Sequence, residues 1–331
     1  MKELPKLELH LHLEGAAPPE FIRELAAEKS VNLTGIFDET GAYRYKDFVD
    51  FLRVYEAACT VLQSPQDFYR LTRAVLAASA AEGVVYTEAF LSPDFCGNRD
   101  LAAWRDYLAA IEEAARDAEA ADGIVMRGIV TCIRHFGPDK AKETALCAAE
   151  TAGRFITGLG LAGDENMGAP KDFNYSFDMA REAELALTAH AGEWGGPRSV
   201  REAWQDLGVS RIGHGVHAIQ DPALMEALGE AGVVLEVCPG SNIALKVYDT
   251  WRDHPVDRLR RAGVPVTVST DDPPFFHTTM SREYENLAHH FGWDLPEFAA
   301  ISDTALDAAF CDAETKTTLR AKLDATFGDL S

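Results

Sequence analysis

Positive charge is scarce in this chain, and long apolar runs are missing. Among 331 residues, 31 Lys and Arg stand against 53 Asp and Glu, a formal net charge of −22. Such a chain repels phosphate backbones and anionic lipid surfaces, whose binders use basic patches, so neither nucleic acid nor membrane is an expected partner. No run of about 18 apolar residues occurs, which excludes a spanning helix. The opening Met1-Lys2-Glu3-Leu4-Pro5 has no apolar export core, so secretion is not expected. The six cysteines (Cys59, Cys96, Cys132, Cys147, Cys238, Cys311) form no C-x-x-C pair. That argues against a cysteine zinc knuckle or a thioredoxin-like motif and leaves a reduced, cytoplasmic setting as the expectation. Low-complexity tracts, repeats and linkers are absent too, so one domain over residues 1–331 is expected. A composition 47% hydrophobic and 25% charged suits an ordinary globular enzyme with a small-molecule ligand.

What the sequence does have is concentrated near its start, in Leu7-Glu8-Leu9-His10-Leu11-His12-Leu13-Glu14-Gly15. Alternation of apolar and polar residues is the two-residue period of a strand, with His10 and His12 on one face. Histidines at i and i+2 of a strand lie roughly 6.5–7 Å apart along the backbone, close enough to share a metal ion. A half-buried surface strand accounts for the leucines equally well, and two histidines are only part of a ligand set.

Strand-like segments then recur at residues 84–91, 125–133, 155–161, 185–190, 211–215, 233–238 and 264–270. Helical patterns lie between them at 101–121, 139–152, 177–183, 199–205, 222–231 and 255–262. With the first strand this predicts an α/β fold, a (β/α)₈ TIM barrel. The long interval before residue 84 reads as a helical flap, residues 18–29 and 45–62, whose Phe48, Phe51, Leu52 and Tyr55 read as core. Residues 296–323 read as extra C-terminal helices.

Polar residues gather at the C-terminal ends of these strands, where barrel active sites lie: His10 and His12, Gly163-Asp164-Glu165, His190 with Glu193, His214, and Asp271-Asp272. His10, His12 and His190 offer three neutral nitrogens and Asp271 a carboxylate oxygen, the donor set of a catalytic zinc that activates water. His214, flanked by glycines, reads as a base or electrostatic partner for that water, or as a further ligand or turn residue. Glu193 can reach the same cavity and, if a dry pocket raises its pKa, act as a proton donor. The other histidines, His135, His217, His254, His277, His289 and His290, read as structural.

Six stretches together resemble the adenosine deaminase family of zinc-dependent aminohydrolases. They are His10-Leu11-His12-Leu13-Glu14-Gly15, Leu161-Ala162-Gly163-Asp164-Glu165, His190-Ala191-Gly192-Glu193, Arg211-Ile212-Gly213-His214-Gly215, Cys238-Pro239-Gly240-Ser241-Asn242 and Ser269-Thr270-Asp271-Asp272-Pro273. The resemblance implies a purine substrate, one zinc per chain on His10, His12, His190 and Asp271, and hydrolysis of a C–N bond in a cyclic amidine. It implies Glu193 as the acid that protonates the ring, His214 as a residue activating water, and Glu14, the Gly163 amide and Asp272 as substrate contacts. It further implies that Leu52 and Tyr55 close over the base. Residues 155–163 hold no lysine, which favours one metal over the binuclear arrangement of other relatives. The H-x-E and P-C-x-x-C pattern of an unrelated deaminase fold is absent.

Two motifs pull the substrate in different directions. Glu14 stands where adenosine deaminases commonly carry Asp, and Glu there resembles the adenine deaminase branch. The Leu161-Ala162-Gly163-Asp164-Glu165 run is similar to the nucleoside branch. The expectation from the resemblance is adenosine, with 2′-deoxyadenosine, converted to inosine and ammonia. Adenine, or an N6-substituted or 5′-modified derivative, is the alternative. A non-catalytic metal-binding paralogue and an amidohydrolase acting on a pyrimidine or lactone are weaker readings, since Glu193, His214 and the ligand set are all present.

Overall fold

The first strand, β1 (Lys6–His12), is buried from Lys6 to Leu11 on both of its faces. It is therefore an interior strand of a parallel sheet and not the half-buried surface strand its alternation allows. A register shift between Glu8 and Leu11 interrupts that alternation. Glu8 is engaged elsewhere, accepting hydrogen bonds from the Thr270 amide and hydroxyl.

The computed structural model describes residues 1–328; residues 329–331, the end of the expected domain, lie outside the described residues. After β1 come β2 (Val84–Leu91), β3 (Val125–Ile133), β4 (Ile156–Ala162), β5 (Ala186–Ala191), β6 (Arg211–His214), β7 (Val234–Val237) and β8 (Val266–Val268). Each pairs in parallel with the next in chain order. The circle closes where His12 N donates to Asp271 O at 3.0 Å and Asp271 N to His10 O at 3.1 Å. This is the expected (β/α)₈ barrel. Strands β7 and β8 are shorter than their apolar runs, because residues 238 and 269–270 lie outside the regular ladder at the barrel mouth, Asp271 rejoining it as a single bridge to Leu11.

Between β1 and β2 the chain forms the helices Pro19–Lys29, Phe48–Cys59 and Pro65–Ala81. The helix Phe48–Cys59 starts at Asp47, whose carboxylate accepts from Asp50 N at 2.9 Å, a cap for an otherwise unpaired amide. Aromatic residues seat this flap on the segment after Asp272. The Tyr43 ring stacks 3.9 Å from that of Phe275, Tyr45 Oη donates to Phe275 O at 3.0 Å, and Phe51 meets Phe275 edge-on. At the C-terminus lie the helices Met280–Phe291, Leu295–Ala308 and Ala313–Phe327, the second against β1 and β8. No helix among the described residues is long and apolar enough to cross a membrane.

The barrel interior below the mouth is charged. Arg211 on β6 pairs at 2.6 Å with Glu88 of β2 and at 2.6 Å with Glu236 of β7, all three fully enclosed. The Phe310 ring lies 3.5 Å from the guanidinium, and Ala308 O accepts from it at 3.0 Å. The C-terminal chain thus seals this end of the barrel. Removing the cation leaves two buried carboxylates unpaired, so Arg211→Met is expected to cost about 3–5 kcal/mol of stability. A urea midpoint within experimental error of the wild type would refute that account.

Candidate active site

Five strands deliver functional groups to one mouth, four of them side chains and one the Gly163 backbone. His10 and His12 come from β1, Gly163 follows β4, His190 lies in β5 with Glu193 just beyond, His214 ends β6, and Asp271 and Asp272 follow β8. The Nε2 of His12 stands 3.2 Å from His190 Nε2 and 3.2 Å from Asp271 Oδ1. His10 Nε2 is 3.3 Å from the same oxygen. His214 Nε2 is 3.8 Å from Asp271 Oδ2 and 3.8 Å from Glu193 Oε2. Ligand atoms of His10, His190, His214 and Asp271 all lie within 4.8 Å of one another, and so do those of His12, Asp271 and Asp272.

This geometry suits a cation. Ligands about 2.0–2.1 Å from a tetrahedral zinc stand roughly 3.3 Å from each other, close to the spacings here. His10 Nε2 is buried and faces the Asp271 carboxylate with no other partner among the described residues, as a nitrogen reserved for a metal would. Backbone strain accompanies the arrangement: His214 has φ 61° and Asp271 φ 69°, left-handed values that cost energy for residues other than glycine. Glycines make the room. A Cβ on Gly213 would approach His10 Cε1 to 2.8 Å, and one on Gly15 would fall 1.6 Å from Asp272 Oδ1.

Burial sorts the titratable groups. It holds His12 below the usual imidazole range, His190 well below it, and His214 at about 4, so these rings are neutral donors of electron pairs. Burial also pulls His10 down, but hydrogen bonds to Asp271 and Glu236 outweigh it and raise the ring to about 9. Asp271 is pushed up by burial, yet the bonds from His10 and His12 hold it well below the carboxylate range. Glu193 and Asp272 go the other way. Burial, then the charge of Asp271, lifts both well above that range, so each carboxyl keeps its proton and can donate it.

The cavity over these groups is a concave, mostly apolar cleft open at its mouth, the kind of site that takes a small molecule. Its walls include Phe48, Phe51, Leu52 and Tyr55 of the flap, which are therefore cavity residues and not simply core. Gly163, Glu193, His214, Asp271 and Asp272 line it as well. Glu14 meets it through Tyr55: Glu14 Oε2 accepts from the Tyr55 hydroxyl, itself a lining group, at 3.4 Å.

Several supporting residues escaped the sequence reading. Glu236 accepts from His10 Nδ1 at 2.9 Å, Ser241 Oγ donates to Asp271 Oδ2 at 2.7 Å, and Arg134 holds the His190 carbonyl at 2.6 Å. A lone glutamate inside Val234-Leu235-Glu236-Val237 is the kind of signal that could have been found. Two histidines read as structural are tied to the site. His135 lines the cavity, and His254 bonds Asn242 Oδ1 at 3.1 Å while Asn242 Nδ2 lies 3.3 Å from His214 Nδ1.

A parallel barrel whose mouth joins imidazoles to an ionised aspartate, with protonated carboxyls facing them, defines an amidohydrolase-type enzyme that cleaves C–N bonds by hydrolysis. The profile of the family described as "Adenosine deaminase" matches residues 5–326. An adenine deaminase of Rhizobium leguminosarum bv. trifolii is 46% identical over 320 residues, 97% of this chain and 99% of that one. Among solved structures, an adenine deaminase from Arthrobacter aurescens superposes with a TM-score of 0.89 at 31% identity, covering 97% of this chain and 98% of that chain. An amidohydrolase from Burkholderia ambifaria with bound zinc gives 0.88 at 29% identity, covering 99% and 92%. The chain belongs to the adenosine deaminase family, and it is a hydrolytic deaminase.

If His10, His12, His190 and Asp271 hold a metal, His12→Ala should lower bound metal per chain after dialysis together with activity. Wild-type metal content in that variant, by elemental analysis, would remove His12 from the ligand set.

Proposed function

We propose that this chain, acting as one domain, hydrolyses the exocyclic amine of adenine to give hypoxanthine and ammonia, with one zinc held by His10, His12, His190 and Asp271. The purine part rests on donor pattern. The three pyridine-like nitrogens of adenine accept hydrogen bonds, and the mouth offers the Gly163 amide and the protonated carboxyls of Glu193 and Asp272 as donors. In this assignment Gly163 meets the pyrimidine-ring nitrogen on the sugar side, Glu193 the ring nitrogen beside the attacked carbon, and Asp272 the imidazole-ring nitrogen.

The observation that carries the free base over the nucleoside is the wall formed with Glu14. Its carboxyl is 3% exposed, burial raises it to about 7, and its Oε1 has no partner. Beside the Tyr55 ring, the cavity is walled by Phe48, Phe51, Leu52, Phe95 and Leu245, with Glu56, Ser92 and His135 as the polar groups among them. A ribose hydroxyl that faces the apolar groups and misses these three goes unpaired, at about 1–3 kcal/mol for each buried one. The naming of the Rhizobium and Arthrobacter relatives as adenine deaminases supports the same reading. The preference for adenosine drawn from the residue 161–165 run gives way to that wall, because in this assignment Gly163 of the run meets the ring and not the sugar.

Bound zinc supplies a water of lowered pKa, about 7 in the best-known sites. The rest is done by the chain. Glu193 delivers its proton to the ring nitrogen, which removes the aromatic resistance to addition at the neighbouring carbon. His214, neutral because it is buried, accepts a proton released by the attacking water. Asp272 and Gly163 hold the ring in register; the amine takes up the proton that His214 received and leaves as ammonia, and the second proton of the water returns Glu193 to its acid form as the new C–O bond becomes a carbonyl.

Ammonia release measured across adenine, adenosine, 2′-deoxyadenosine, an N6-substituted adenine and a 5′-substituted adenosine, with metal quantified, tests the substrate. Adenine is expected to exceed the nucleosides in kcat/KM by about 100-fold or more. Turnover of nucleosides without adenine would overturn the proposal. Glu193→Gln should retain metal and fold while losing about 10²–10⁴ in kcat, and near-normal turnover would refute its role as acid.

A further inference from the structure

Glu165 belongs to the Gly163-Asp164-Glu165 run, yet the proposed chemistry does not use it. Its carboxylate is the centre of an unusual set of contacts. Oε1 accepts from Gly192 N at 2.5 Å, and Oε2 from Glu193 N at 3.1 Å, Trp194 N at 2.8 Å and Gly195 N at 2.9 Å. The Ser199 hydroxyl donates to Oε1 as well. Consecutive amides of residues 192–195 therefore converge on one side chain from another loop. Gly195 has no alternative there, since a Cβ would fall 2.6 Å from Glu165 Oε1.

We infer that Glu165 is the positioning residue for the catalytic acid, fixing the 192–195 loop so that the Glu193 carboxyl faces the cavity; this rests on the reading of Glu193 as that acid. Among the described residues the other tethers of this loop are fewer, Gly192 O meeting His217 N and His217 Nδ1 at 3.0 Å each, and four amides with a hydroxyl converging on one carboxyl use the acceptor capacity of its ionised form. Burial pushes the Glu165 carboxyl up, but the amide bonds outweigh it and hold it below the usual range. Its fixed negative charge stands near Glu193 and adds to burial and Asp271 in keeping that proton in place. A neutral amide in the same position would present donor hydrogens to amides that are themselves donors, and the loop would have to shift. Displacement of a reacting group by about 1 Å can cost around 100-fold in rate.

The test is a double-mutant cycle on the metal-loaded enzyme with adenine, or with whichever purine the activity panel selects. Glu165→Gln is expected to lower kcat about 30-fold or more with KM within about 3-fold and metal per chain unchanged. In the Glu193→Gln background, adding Glu165→Gln should change kcat less than about 3-fold, because the group it positions is already gone. Retention of kcat by Glu165→Gln, or losses that multiply in the double variant, would overturn the inference. Failure of the acid assignment itself reads differently, as near-normal turnover in Glu193→Gln alone. If Glu165→Gln does not fold, Ser199→Ala removes one donor to the same carboxylate. It should lower kcat several-fold in the wild type and leave it unchanged in Glu193→Gln; equal loss in both backgrounds would also overturn the inference.

Discussion

The interaction on which the site rests is the buried guanidinium of Arg211, held between Glu88 and Glu236 at 2.6 Å on each side. A cation so enclosed is tolerable only when fully paired, and here the pairing spans the barrel from β2 through β6 to β7. Glu236 spends its second oxygen on His10 Nδ1 at 2.9 Å. That bond makes Nδ1 the protonated nitrogen and turns Nε2 toward the mouth, the arrangement in which a histidine can ligate metal. Closing the barrel and aiming its first ligand are one interaction. The Thr188 hydroxyl, donating to Glu236 at 3.0 Å, ties β5 into the same network.

Above that network, environment divides the acids into two sets. Asp271, Glu165 and Glu236 accept enough hydrogen bonds or face enough cation to remain ionised despite burial. Glu193, Asp272 and Glu14 lack such partners and are raised by burial. Asp271 and Asp272 are chain neighbours with opposite fates. The first meets the imidazoles and the Ser241 hydroxyl, whereas the second has an oxygen with no partner. One acid can therefore serve a cation while the next donates a proton to a ring, which is how a single mouth runs both halves of a hydrolysis.

Much of this was legible in the sequence because a barrel forces a simple pattern: apolar runs with polar residues at their C-terminal ends. The eight strands, the flap, the C-terminal helices and the group His10, His12, His190, Glu193, His214, Asp271 and Asp272 follow from it. What stayed hidden depends on contacts between segments far apart in the chain. Glu236 sits 226 residues from His10, and His254 reaches His214 only through Asn242. The flap aromatics misled for a different reason. Helical periodicity states which face is apolar, but the same face covers a core or a ligand, and Phe48 and Leu52 cover the cavity. The left-handed backbone of His214 and Asp271 leaves only a faint trace in residue type, since histidine and aspartate enter that region more often than most residues do.

The flap also explains why substrate choice is the hardest property to read from motifs. The candidate metal and acid residues come from strand ends, whereas the aromatic wall of the cavity, with Phe48, Phe51 and Tyr55, is built from the long β1–β2 connection. Phe48 of the flap lies 5.2 Å ring to ring from Trp194, within the loop that carries Glu193. Glu56 of the same helix stands 3.4 Å from His135, whose ring in turn accepts from Asp164 N at 3.3 Å beside Gly163. The flap wall of the cavity is thus linked, directly through Trp194 and by way of His135, to the loops that carry Glu193 and Gly163. A change in the flap alters both what enters and how the reacting groups stand, so specificity and rate share one set of contacts.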